Sequence, residues 1–146
     1  MAVDTSKIGK TYPPSEYEVG REKIREYANA VGEDNAVHHD REAARAEGFR
    51  DVVAPPMFAV VYSAGAMGPA VLDPELGINL MMMLHGSQEF VWSEPVCAGD
   101  TITTTAEVKD VYEKDGKDFY VFESVSRNQE GQEVVRGTWT NIVRGG

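Results

Sequence analysis

Cysteine is nearly absent: Cys97 is the only one in 146 residues, so no internal disulfide can form and a reducing compartment is the fitting one. With that single thiol and three histidines, a zinc site built on Cys97 is not expected. Long apolar runs are missing as well. The most hydrophobic stretch, residues 78–84, is far short of the roughly 20 residues that span a bilayer, and residues 1–10 hold no apolar core of signal-peptide length. The expectation is therefore a cytoplasmic protein with no membrane partner. Basic residues are few: 14 Lys and Arg against 24 Asp and Glu give a formal charge of −10 with no basic cluster, which disfavours a nucleic-acid surface. Neither GxGxxG nor GxxxxGK occurs, so no glycine loop for phosphate is expected. There is no internal repeat, low-complexity tract or linker, and the length fits one domain over residues 1–146.

What is present centres on residues 32–71. A polar loop with acids and histidines leads into a short helix, and then into a small-residue apolar segment behind Pro55 and Pro56. Met57, Val60, Val61, Ala64, Met67 and Val71 recur at helical steps, and proline is tolerated where a helix begins, so the pattern predicts a helix from about Pro56 to Ala70. Upstream, Ile24, Tyr27, Ala28 and Val31 share one helical face between Gly20 and Gly32. Asp40 is placed to cap a helix from Arg41 to Glu47, with Gly48 at its left-handed stop. Residues 12–19 suit a short edge strand.

The rest of the chain reads as sheet. Residues 85–92, 100–112, 119–128 and 133–143 are rich in Val, Thr, Phe, Tyr and Trp, and turn clusters separate them, which predicts an antiparallel meander. Ile102, Thr104, Ala106 and Val108 alternate with polar neighbours and should form the face that packs on the helix. Trp92 and Trp139 read as core or interface aromatics. The fold class is α+β: an antiparallel sheet wrapped around a central helix. Such a layer leaves a sheet edge open, so association with another subunit is expected.

Chemistry has one clear place to reside, the loop AVGEDNAVHHD. Glu33 and His38 flanking Asn35 suit a reaction that moves a proton and activates water, with a neutral imidazole as base and a carboxylate positioning the water. Composition alone favours the other reading, a solvated polar loop whose Asp34 and Asn35 make turn hydrogen bonds.

GEDNAVH resembles the GDxNPxH motif of the MaoC-like hydratases and dehydratases, hot-dog proteins that add or remove water across the C2–C3 bond of acyl thioesters. The resemblance extends through YEVGREKIREYANAVG, VVAPPMF and QEFVWSEPVCAGDTI, and with the chain length is most similar to the small single-hot-dog subunits of mycobacterial-type (3R)-hydroxyacyl-ACP dehydratase. It implies a single hot-dog fold whose central helix starts at Pro56, and no metal or redox cofactor. The implied activity is that of a (3R)-hydroxyacyl-thioester dehydratase, equivalently an (R)-specific enoyl-thioester hydratase. Acyl-CoA or acyl-ACP would be the substrate, and the assembly a homodimer or a heterodimer with a second hot-dog subunit. His38 matches the family histidine, Glu33 stands where aspartate is usual, Asn35 matches the asparagine, and Ala36 replaces the proline. Pro56 occupies the place of a glycine whose N–H helps hold the thioester oxygen, leaving the Met57 N–H as the substitute. His85 and Gly86 would line the thioester tunnel. The alternative that Pro56 and Ala36 favour is a non-catalytic acyl-binding subunit whose partner carries the working dyad.

Overall fold

In the computed structural model, which describes residues 2–145, the alternation at residues 102–108 is realised as expected: Ile102, Thr104, Ala106 and Val108 are all buried on one face of a long strand. The strands are β1 (Ser15–Glu18), β2 (Met83–Trp92), β3 (Thr101–Lys114), β4 (Lys117–Arg127) and β5 (Glu133–Val143). All pair antiparallel in the order β1-β3-β4-β5-β2. A register shift between Val108 and Asp110 inserts one extra residue in β3, which is why the next inward residue is Val111 rather than Asp110.

The helices follow from their caps. α1 (Arg21–Ala30) buries Ile24 and Ala28, and the chain turns out of it at Gly32 with φ +73°. α2 (Arg41–Ala46) starts where the Asp40 carboxylate accepts the Glu42 and Ala43 N–H groups at 2.8 and 3.3 Å. The central helix is tighter at its start than the sequence pattern predicts. Pro56–Phe58 form a 3₁₀ turn, and the α-helix proper, α3, covers Ala59–Val71.

The meander expectation holds for β3, β4 and β5 and is corrected for β2, which pairs with β5 at the far edge rather than with its sequence neighbour β3. The cause lies in residues 93–100. Instead of turning back beside β2, that segment pairs with residues 52–54: Val53 bridges Cys97, Ala54 N–H donates to Val96 O at 2.8 Å, and Ala98 N–H donates to Val52 O at 2.9 Å.

α3 lies on the sheet through two apolar clusters. Ala59 and Tyr62 join Phe58, Ile102, Val134 and Val135 at one end, while Ala66, Met67 and Ala70 join Ala106, Val108, Phe122 and Val143 at the other. Between them runs a seam of fully buried hydroxyls. Ser63 Oγ meets Ser126 Oγ at 3.3 Å, and Ser126 Oγ meets Thr104 Oγ1 at 2.7 Å. On the same sheet Gly137 leaves room for its neighbours, since a Cβ there would stand 2.7 Å from Ser124 Oγ, 2.8 Å from Trp139 Nε1 and 2.9 Å from Phe90 Cε1. No helix among the described residues is long and apolar enough to cross a membrane.

Candidate active site

His38 ends a 3₁₀ turn, Ala36–His38, that Asn35 caps by accepting the Val37 N–H on Oδ1 at 3.1 Å. The turn is fastened to the rest of the molecule by Val53, whose N–H donates to Val37 O at 2.9 Å. Val53 then accepts from the ring itself: His38 Nδ1 lies 2.6 Å from Val53 O, and a carbonyl can only accept, so Nδ1 carries the proton. In the neutral ring the lone pair is therefore on Nε2. The side chain is 8% exposed, and it lines a cleft of about 520 Å³ together with Val37, Val53, Pro56, Tyr62 and Trp92. The pairing of residues 52–54 with 96–98 builds one wall, bringing Pro95 and Val96 opposite the loop that carries His38.

The other expected residues are distributed unevenly around this cleft. Pro56 lines it. The Met57 N–H has no acceptor among the described residues, and its side chain is half-exposed. The Glu33 carboxylate does not line the cleft; its Oε1 accepts the Asn35 N–H at 3.3 Å, at the long end of the hydrogen-bond range. Asn35 itself is exposed and spends its side-chain oxygen on the turn. His85 and Gly86 stand elsewhere, at the register shift in β2. The His85 ring stacks on Trp139 with centroids 6.0 Å apart, and a Cβ on Gly86 would meet Ile142 at 2.5 Å. Neither residue lines the cleft that holds His38.

Three features escaped the sequence reading. His39, without an expected role, holds the Glu33 carbonyl through Nε2 at 2.8 Å and so braces the loop. Trp92, read as a core or interface aromatic, is a cleft wall whose indole N–H donates to Pro56 O at 2.8 Å. Tyr62, outside the apolar stripe read from the sequence, presents to the cleft a phenol that burial pushes well above its ordinary pKa. Only Trp92 carried a legible hint, as an aromatic directly before a turn. The carboxylate that does line the cleft, Glu94, is exposed. Cys97 is buried behind the wall, and burial pushes its thiol pKa up. Among the described residues no group of three or more His, Cys, Asp or Glu side chains is placed to hold a metal ion.

Comparison with known proteins places the chain in a family. Residues 6–136 match the family model described as the FAS1-like dehydratase domain region. A UPF0336 protein of Streptomyces avermitilis is 43% identical over 145 residues, covering 99% of this chain and 97% of the relative. A second, from Saccharopolyspora erythraea, is 43% identical over 146 residues, covering 99% and 94%. Among solved structures, a chain of the HadBC (3R-hydroxyacyl-ACP dehydratase) complex from Mycobacterium tuberculosis superposes with a TM-score of 0.81 at 29% identity, covering 96% of this chain and 99% of that one. A MaoC-like dehydratase superposes at 0.87 with 26% identity; 95% of this chain matches 42% of that longer one. By its sequence, its sheet order and its central helix, this chain belongs to the UPF0336 proteins and to the hot-dog dehydratase family that the FAS1-like dehydratase region defines.

Proposed function

We propose that the protein acts on acyl thioesters as a (3R)-hydroxyacyl-thioester dehydratase, equivalently an (R)-specific enoyl-thioester hydratase. One observation carries this reading: an imidazole in the wall of an apolar cleft, oriented by a backbone carbonyl so that Nε2 is the basic nitrogen. In the hydration direction His38 Nε2 takes a proton from water as the water oxygen bonds to C3. The C2–C3 π pair moves toward the thioester carbonyl, and the proton is then delivered to C2. Glu33 supports the water once its carboxylate leaves the long contact with Asn35 N–H and turns toward the ring. Acyl-CoA or acyl-ACP supplies the thioester, and the apolar lining of the cleft suits the acyl portion.

Two observations favour the second reading, an acyl-holding subunit whose hot-dog partner carries the dyad. Pro56 has no N–H for the thioester oxygen, and the Glu33 carboxylate is outside the cleft wall. The HadBC relative, likewise, is part of a complex. A docking edge for such a subunit is available along β2, which has no strand on its outer side among the described residues and exposes Leu84 and Val91.

The test is hydration of crotonyl-CoA by the purified chain and by His38→Ala. A base in this position contributes about 10²- to 10⁴-fold, so the variant should lose that much in kcat; because it also leaves Val53 O without its partner, its melting temperature should fall, and the rates are compared at a temperature where both proteins are folded. Equal rates in the two proteins would remove His38 from the chemistry. A parent that is silent alone and active with a homologous subunit would establish the acyl-holding reading instead.

A further inference from the structure

The Tyr62 hydroxyl is left over once the other polar groups around α3 are assigned. Ser126 bonds both Ser63 and Thr104, Ser124 accepts from the Trp139 indole at 2.8 Å, and Tyr12 donates to Asp73 at 2.6 Å. Tyr62 is 3% exposed and its hydroxyl meets no acceptor among the described residues; burial is the sole cause of its raised pKa, with no hydrogen bond contributing. Unlike the Gln88 amide, the Tyr62 hydroxyl is not sealed off from solvent, so its hydrogen is free to be donated to a group entering from outside. The small exposure the side chain keeps is exposure to the cleft, which it lines with His38 and Pro56.

Helical geometry directs this side chain toward the helix start, where Pro56 also lines the cleft. Side chains on a helix lean toward its N-terminus, so Tyr62 reaches back over the preceding turn, where its ring meets that of Phe58 with centroids 6.1 Å apart. The helix start at Pro56 is directly beyond. There the sequence has removed an N–H, and the Trp92 indole occupies the Pro56 carbonyl.

We propose that the Tyr62 hydroxyl takes the place of the N–H absent at Pro56, donating a hydrogen bond to the carbonyl oxygen of a thioester bound in the cleft. This rests on the acyl-thioester reading above. A phenol held in an apolar wall stays protonated, turns freely about its C–O bond to find the oxygen, and donates more strongly as negative charge gathers there.

The experiment is Tyr62→Phe, which removes one oxygen and leaves the ring. Crotonyl-CoA hydration and butyryl-CoA binding by calorimetry are measured on parent and variant, with thermal melts of both. The expected result is a kcat lower by about 10²-fold on the oxyanion-donor scale, a KM within about threefold, and a melting temperature unchanged or higher. If the parent binds butyryl-CoA without turning over crotonyl-CoA, the variant should bind about three- to tenfold more weakly. Equal kcat, or equal affinity in the binding-only case, overturns the assignment of Tyr62 and leaves the thioester reading standing. A parallel fall in rate and melting temperature also overturns it, because that is the signature of a packing role. A parent that neither binds butyryl-CoA nor hydrates crotonyl-CoA overturns the thioester reading itself, and the role of Tyr62 with it.

Discussion

Gln88 offers a direct test of whether the inner face of β2 is correctly understood. It stands opposite Trp139 in the β2–β5 pair, and both Oε1 and Nε2 of its amide are shielded from solvent with no partner among the described residues. An unpaired buried donor or acceptor costs about 1–3 kcal/mol. Taking the amide as one group able to ease partly toward the sheet edge, the penalty is about 2 kcal/mol. Methionine has the same unbranched reach, no hydrogen-bonding demand and a thioether that sits well against an indole, so Gln88→Met should recover most of it. At about 2–4 °C per kcal/mol for a chain of this size, the melting temperature should rise by roughly 4–8 °C. Calorimetric melts at two protein concentrations, paired with urea titrations, separate this from assembly, which would make the shift depend on concentration. A rise in the urea midpoint with an unchanged slope is the expected pattern. A lower melting temperature would refute the reasoning, since it would mean that the amide is bonded, by water or by a second subunit, in the protein as it exists in solution.

Two further outcomes follow from the packing and the ion pairs. Gly137→Ala pushes a methyl against Ser124, Trp139 and Phe90 at under 3 Å, two of them rigid rings, so it should lower stability by about 1–3 kcal/mol in a urea titration; no loss would mean the two rings are not held as tightly as described. Asp51 joins α1 to α2 by accepting from Arg21 Nη2 at 2.9 Å and Arg41 Nε at 3.1 Å, and Arg21 above all holds its pKa far below the usual carboxylate range. A depressed folded pKa gives stability that is complete above the unfolded value of about 3.9 and is lost as pH falls toward the folded one. Asp51→Asn should thus cost about 1–2 kcal/mol at pH 7, the arginines being half in solvent, and progressively less below about pH 4. A gap that stays constant from pH 7 to pH 3 would show that the charge of Asp51 is not what matters.

Much of this architecture was legible because local chemistry and global fold agree. Asp40 and Gly48 bracket α2 as their types require, and the alternation from Ile102 to Val108 states which face is buried. Alternation names a face and not a neighbour, which is why the pairing of β2 with β5 could not be read: nothing in residues 83–92 says on which side of the sheet they lie. The site divides the same way. His38 was legible as a loop imidazole among acids, but the carbonyl that orients it belongs to Val53, and a backbone group has no sequence signature. Tyr62 was missed because the stripe Met57, Val60, Val61, Ala64, Met67 and Val71 follows the bulkier apolar side chains, while α3 turns its small residues Ala59, Ser63, Ala66 and Ala70 inward, and Tyr62 with them. Glu33 shows the limit of proximity along the chain, where five positions from His38 did not suffice to bring the carboxylate onto the same wall.

The hydroxyl seam beneath α3 has a bearing on where the helix can sit. A helix made largely of Ala, Val and Gly presents low relief, and apolar contacts alone resist sliding along its axis only weakly because they have no direction. Ser63 supplies the direction: a shift of one residue moves the helix by about 1.5 Å, carrying its hydroxyl away from Ser126 and Thr104 and toward alkyl groups on either side. The three hydroxyls thus act as a detent that fixes the axial position of α3 on the sheet. Because Tyr62 rides on α3 and the 3₁₀ turn bearing Pro56 runs directly into it, that detent also sets where this side of the cleft stands relative to the His38 imidazole.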